Sequence, residues 1–167
     1  MAKYSIIMSK IIGRKHEIEE LERLYDSDRP EFVAIYGRRR VGKTFLIKQA
    51  LKGRFTFQHT GVSPVDQKDE RNRMKTQLES FYFSLLNHGL EGYQQPKSWM
   101  EAFFQLIQLL QSQDRGQRMV IFLDELPWMD TPRSRFLSAF ESFWNGWCSG
   151  HDNIMLIVCG SATSWIL

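Results

Sequence analysis

Eight consecutive residues carry the sharpest chemistry in the chain: Gly37-Arg38-Arg39-Arg40-Val41-Gly42-Lys43-Thr44, which fits the spacing G-x-x-x-x-G-K-[ST]. That spacing suits a phosphate. Glycines reach backbone conformations with positive φ and let main-chain N–H groups approach phosphate oxygens closely. Lys43 then reaches the β- and γ-phosphates, and the Thr44 hydroxyl ligates Mg²⁺. A helix starting at Lys43 aims its positive end at the same anion, with Phe45 next in the nucleotide-binding run. At ordinary frequencies of Gly, Lys and Ser/Thr, a chain this long matches the pattern by chance roughly once in 200. The flanks lower those odds further, because an apolar run, Phe32–Tyr36, precedes the loop and a helical segment follows it.

A second acidic motif stands at the end of Met119-Val120-Ile121-Phe122-Leu123-Asp124-Glu125. In an open parallel sheet, ligands bind beyond the carboxyl ends of the strands, where these two acids fall. Alternation along a strand sends the two side chains to opposite sides, so they can take different jobs. Asp124 suits the Mg²⁺ shell, and Glu125 suits a base for the water that attacks a γ-phosphate. Pro127 disfavours helical geometry at Leu126 and predicts the end of the strand. A further apolar run, Ile154–Cys159, leads into Gly160-Ser161-Ala162-Thr163. Ser161, the hydroxyl nearer the strand end, is the candidate to contact the attacking water or the γ-phosphate.

The elements that must position these residues alternate along the chain. Ile18, Leu21 and Leu24 recur at helical spacing, and the loop helix runs from Lys43 to about Leu51. Arg54–His59, with alternating aromatics, reads as a second strand. Met74, Leu78, Phe81, Tyr82 and Leu85 mark one helix face, and Trp99, Phe103, Leu106, Ile107 and Leu110 mark another. Both stripes predict core packing. Phe136–Trp147 is a further helix. Strands separated by helices argue for a parallel sheet with right-handed crossovers, an α/β layered fold.

Composition agrees with one globular domain: 167 residues, 43% hydrophobic and 25% charged. No internal repeat or Pro/Gly-rich linker divides the chain, so residues 1–167 read as a single domain. No apolar run reaches the roughly 18 to 20 residues needed to cross a bilayer, and no signal-peptide pattern opens the chain. The two cysteines, Cys148 and Cys159, read as buried thiols in a reducing, cytoplasmic setting. Lys+Arg exceed Asp+Glu by three, 22 against 19. Three adjacent arginines, Arg38, Arg39 and Arg40, equal that whole excess, so charge gives no support for a nucleic-acid surface.

Taken in order, four blocks resemble the AAA-like P-loop ATPases first grouped as the archaeal ATPase family, related to the STAND signalling ATPases. They are Ile11-Ile12-Gly13-Arg14 with Glu17-Ile18-Glu19-Glu20-Leu21, then YGRRRVGKTFL, then IFLDELPWMD, then IVCGSATSW. The resemblance implies a three-layer α/β sandwich of the additional-strand, catalytic-glutamate type, with ATP and Mg²⁺ as cofactors. Gly42, Lys43 and Thr44 would bind phosphate and Mg²⁺, Asp124 would be the metal-side acid and Glu125 the catalytic base. Ser161 would hold the sensor position, and Ile12-Gly13 would contact adenine from a segment, residues 1–30, on the adenine side.

Relatives continue into a fifth strand, a helical lid and C-terminal domains. The resemblance therefore implies the N-terminal core of a longer protein, with its later domains as partners. In the family order 5-1-4-3-2, lack of the fifth strand leaves the phosphate-loop strand at an open edge. Self-association through Phe32–Tyr36 is the expected consequence.

Other nucleotide-binding classes fit less well. There is no N-K-x-D string for guanine and no LSGGQ-like signature. The Asp124-Glu125 and Ser161-Ala162-Thr163 strings echo a helicase, which needs two stacked RecA-like cores. The other alternative is an ATP-dependent switch or scaffold with little turnover. Trp128, Met129, Trp144 and Trp147 either pack on the sheet or form a partner patch. Arg133 and Arg135 read as solvated.

Overall fold

The computed structural model describes residues 4–8, 14–37, 42–66 and 69–161. Among these residues five strands, β1 (Tyr4–Met8), β2 (Glu31–Gly37), β3 (Phe55–Thr60), β4 (Met119–Asp124) and β5 (Ile154–Ser161), form one sheet in the order β1-β2-β5-β4-β3. All neighbouring strands are parallel. β4 and β5 are buried along their whole length, as expected of central strands covered on both faces.

The helices are α1 (Arg14–Tyr25), α2 (Lys43–Ala50), α3 (Arg73–Asn87), α4 (Trp99–Gln113), the single turn α5 (Leu126–Met129) and α6 (Phe136–Gly146). Two apolar clusters separate them into layers. Leu21 and Leu24 of α1 and Ile47 of α2 pack on Val33, Ile35, Val120, Phe122 and Ile157. The alternate residues Phe32, Ile121, Leu123, Leu156 and Val158 face α3, α4 and α6. This is the predicted three-layer sandwich.

Both aromatic stripes are core, as their periodicity predicts: Leu78, Phe81, Leu85, Trp99, Phe103, Leu106 and Leu110 are buried. Phe103 stands at the centre, stacked on Phe143 with ring centroids 5.0 Å apart and in ring contact with Phe81, Trp99 and Phe136. Met129 and Trp144 are also buried, and Trp147 packs against the same cluster. These residues therefore belong to the core rather than to an exposed patch. Arg133 and Arg135 are exposed, each with positive φ.

Three features depart from expectation. The open edge at Phe32–Tyr36 is corrected: β1 pairs parallel with β2, from Tyr4 opposite Phe32 to Met8 opposite Tyr36. β1 thus fills the flank that the order 5-1-4-3-2 assigns to a fifth strand. The backbone groups proposed to drive self-association are already paired there. Second, β3 does not alternate evenly, because its pairing with β4 shifts register between Phe55 and Phe57. Phe55 accordingly stacks on Phe122 in one layer while Phe57 is buried in the other. Third, Leu126 is helical despite Pro127, which lies in the first turn of α5, where a missing N–H costs no hydrogen bond.

Candidate active site

Those predicted residues that lie within the described ranges gather at the carboxyl ends of the strands. Gly37 ends β2 and stands in register with Ser161, the last residue of β5. Asp124 ends β4 opposite Thr60, the last residue of β3. β2 therefore delivers the chain into the loop beside the ends of β5 and β4, a consequence of strand order alone.

Beyond the loop, Gly42 caps α2 in the left-handed region, with φ 80° and ψ 24°, the conformation glycine adopts without steric cost. Lys43 follows at the first helical position. Its side chain is only 7% exposed, and its ammonium donates to the Gly37 carbonyl at 2.8 Å. That bond folds the lysine back across the mouth of the loop. Thr44 donates its hydroxyl to Asp124 Oδ2 at 2.7 Å. The two residues assigned to the metal from separate motifs are thus in direct contact. Phe45 lies exposed on the first turn of α2. Arg38, Arg39, Arg40, Val41, Ile12 and Gly13 lie outside the described residues.

Asp124 is 5% exposed, and its second oxygen, Oδ1, accepts the Glu125 N–H at 2.9 Å. Glu125 itself is left-handed, with φ 51° and ψ 46°, at the start of α5. Such a conformation is uncommon for a residue with a side chain, and it turns the chain sharply out of β4. One oxygen of its carboxylate, Oε2, is buried. Ser161 is also buried, 3% exposed. Beside these groups, burial pushes the Cys159 thiol well up, and the neighbouring Asp124 carboxylate adds to the rise while Lys43 opposes it. Cys159, buried in the core at 1% exposure, is thus held in its neutral thiol form.

The arrangement fits a polyphosphate with a divalent cation. It offers a glycine-capped helix start, a buried ammonium, a hydroxyl and a carboxylate side by side, and a second carboxylate beyond them. Sequence reasoning missed two residues that build it. Gly61, just after β3, donates its N–H to the Asp124 carbonyl at 3.0 Å. Gln77 of α3 is fully buried and bonds both main-chain groups of Val62. A polar residue inside the apolar stripe of α3 was the only signal for the second.

Comparisons with known proteins point the same way. Residues 11–167 match the model of a family described as ATPase domains predominantly from Archaea. A stretch of 51 residues is 45% identical to an uncharacterized ATP-binding protein of Methanocaldococcus jannaschii, covering 30% of this chain and 83% of that protein. Among solved structures, the Walker-type ATPase of Pyrococcus abyssi is similar over 89% of this chain, with a TM-score of 0.53 at 19% identity. That likeness shows the fold, and the chain spans 45% of the length of that structure. Among the described residues, no helix is long and apolar enough to cross a membrane. With a family match that omits only the first ten residues, the chain belongs to the family of P-loop ATPase domains found predominantly in Archaea.

Proposed function

We propose that this domain binds ATP with Mg²⁺ and hydrolyses it, and that the cycle drives a conformational switch in a longer protein. The observation that carries the reading is the 2.7 Å contact between Thr44 and Asp124. Two motifs eighty residues apart meet at the atoms that would share a metal ion. Bound Mg²⁺ would neutralise charge on the phosphates and hold them in one geometry. The remaining work falls to the chain. Gly37–Thr44 would offer main-chain N–H groups to the phosphates. Lys43 exchanges the Gly37 carbonyl for phosphate oxygens. Glu125 takes a proton from water as the water oxygen bonds to the γ-phosphorus and the bond to the leaving β–γ bridging oxygen breaks. Ser161, at the end of the strand between β2 and β4, orients that water or the γ-phosphate.

The finer assignments belong to the same reading. Ile12-Gly13 would lie against adenine, and Arg38–Val41 and Phe45 would complete the nucleotide contacts. The domain would occupy residues 1–167, act in the cytoplasm, and use C-terminal domains as its partners, in the manner of STAND ATPases. A carboxylate at Glu125 favours hydrolysis over a scaffold that only binds nucleotide.

Thermal unfolding with and without MgATP tests binding. The parent chain is expected to melt several degrees higher with MgATP, and Lys43→Ala is expected to lose the shift. Phosphate release tests the chemistry: Glu125→Gln is expected to keep the thermal shift and lose turnover by about 100-fold or more. A Glu125→Gln chain that turns over like the parent would remove Glu125 from the role of base.

A further inference from the structure

Gly61 follows β3 directly, and its main chain bonds the residue just before the proposed base. Its N–H bond to the Asp124 carbonyl, 3.0 Å, extends the pairing of β3 with β4 one residue beyond Thr60 and Asp124. Its lack of a side chain is required as well. A Cβ at this position would lie 2.7 Å from the Glu125 carbonyl oxygen, 3.2 Å from Trp128 Cβ and 3.3 Å from Met129 Cγ. The carbonyl has little freedom to move aside, since it also accepts the Trp128 N–H at 3.0 Å. Gly61 thus leaves no room for a side chain beside the Glu125 carbonyl, while its N–H holds the Asp124 carbonyl of the peptide that leads into Glu125.

The next residue is clamped from outside the sheet. Val62 donates its N–H to Gln77 Oε1 at 3.0 Å, and Gln77 Nε2 donates to the Val62 carbonyl at 2.8 Å. With 0% exposure, Gln77 has exchanged water for these two main-chain bonds. The clasp acts as a substitute strand partner and fixes the height of the loop above the end of β4. A path of bonds runs from α3 through Gln77, Val62 and Gly61 to the Asp124 carbonyl, one residue before Glu125.

Glu125 needs such support. A left-handed conformation at a non-glycine residue persists only where its surroundings over-determine it. Here the Asp124 carboxylate, the Trp128 N–H and the close approach of Gly61 to the Glu125 carbonyl together do so. We infer that Gly61 and Gln77 are positioning residues for ATP hydrolysis: the Gln77 clasp seats Gly61 against the Glu125 peptide, and that seat sets how Glu125 presents its carboxylate. The inference rests on the reading of Glu125 as the base.

Steady-state kinetics of the parent, Gly61→Ala and Gln77→Leu test it. Because a misplacement of about 1 Å costs on the order of 100-fold in rate, kcat is expected to fall about 10- to 100-fold in both variants. KM for ATP and the MgATP-induced thermal shift are expected to stay near parental values. In a Glu125→Gln background, Gly61→Ala is expected to cause no further loss. Gln77→Glu alters one atom of the clasp, keeping an acceptor for the Val62 N–H but no donor. Its kcat should fall between the parent and Gln77→Leu, and it keeps the test open if Gly61→Ala does not fold.

Crystal structures of the parent and Gly61→Ala with a non-hydrolysable MgATP analogue give a readout independent of turnover. Expected is a displaced Glu125 main chain with the Thr44–Asp124 pair still in place. Unchanged kcat in Gly61→Ala and Gln77→Leu, an unmoved Glu125, or an equal loss on top of Glu125→Gln would each overturn the positioning role alone. Parental turnover in Glu125→Gln would overturn the base assignment and the positioning role together.

Discussion

At the scale of single residues, Thr44 and Asp124 show what motif spacing says and what it omits. Each was legible from its own motif: a hydroxyl after a lysine in a phosphate loop, and an acid at the end of an apolar strand. Their contact, with Asp124 divided between the Thr44 hydroxyl and the Glu125 N–H, depends on the placing of β2 and β4 on either side of β5. Spacing along one chain does not encode that arrangement. Gly61 was illegible for a related reason: a lone glycine after a strand reads as a turn until the neighbouring carbonyl is known. Asp124→Asn separates the charge of the carboxylate from its shape. ATP affinity measured with Mg²⁺ is expected to fall about tenfold or more, because the metal loses an anionic ligand. With Mg²⁺ removed by EDTA, parent and variant should bind ATP alike. Equal losses in both conditions would place Asp124 outside the metal shell.

Elements were legible where periodicity is long and hidden where one residue changes it. The stripes of α3 and α4 repeat over several turns, so their buried faces could be read directly. β3 carries a single register shift, and that shift sends Phe55 and Phe57 to opposite layers although they are two residues apart. It also leaves His59 on the α3 side, in edge contact with Phe81 and bonded through Nδ1 to Ser84 Oγ at 2.7 Å. Burial, with a smaller contribution from His88, lowers the His59 pKa from 6.5 to about 4. The unfolded chain therefore holds a proton on this residue between those values and the folded chain does not. The stabilisation is complete above pH 6.5 and is lost as the pH falls toward 4, an effect of about 3 kcal/mol. Urea unfolding at a series of pH values should show the parent losing that much relative to His59→Gln. Parallel stability curves for the two proteins would show that His59 is not held neutral in the fold.

The whole molecule turns on the element the sequence reading omitted. Tyr4-Ser5-Ile6-Ile7-Met8 has the aromatic and β-branched content of a strand, but five residues outside any motif gave no reason to assign them. Without them the order 1-4-3-2 leaves β2 unpaired on one side, which is why an open edge followed from the resemblance. With them, the strand that feeds the phosphate loop has a parallel partner on each side, β1 and β5. The strand is thus held from both flanks as far as Tyr36, and Gly37, one residue on, is paired with Ser161 of β5. Removing residues 1–8 should expose a row of β2 backbone groups beside an apolar strand, the arrangement that invites pairing with another chain. The shortened protein is expected to melt lower than the parent and to form larger species at concentrations where the parent stays monodisperse by light scattering. Its MgATP-induced thermal shift should shrink as well, since the strand that leads to Gly37 loses one of its two partners while Lys43, Thr44 and Asp124 keep their chemistry. A truncated chain that stays monodisperse, with parental melting temperature and nucleotide response, would show that β5 alone is enough to hold β2 in place.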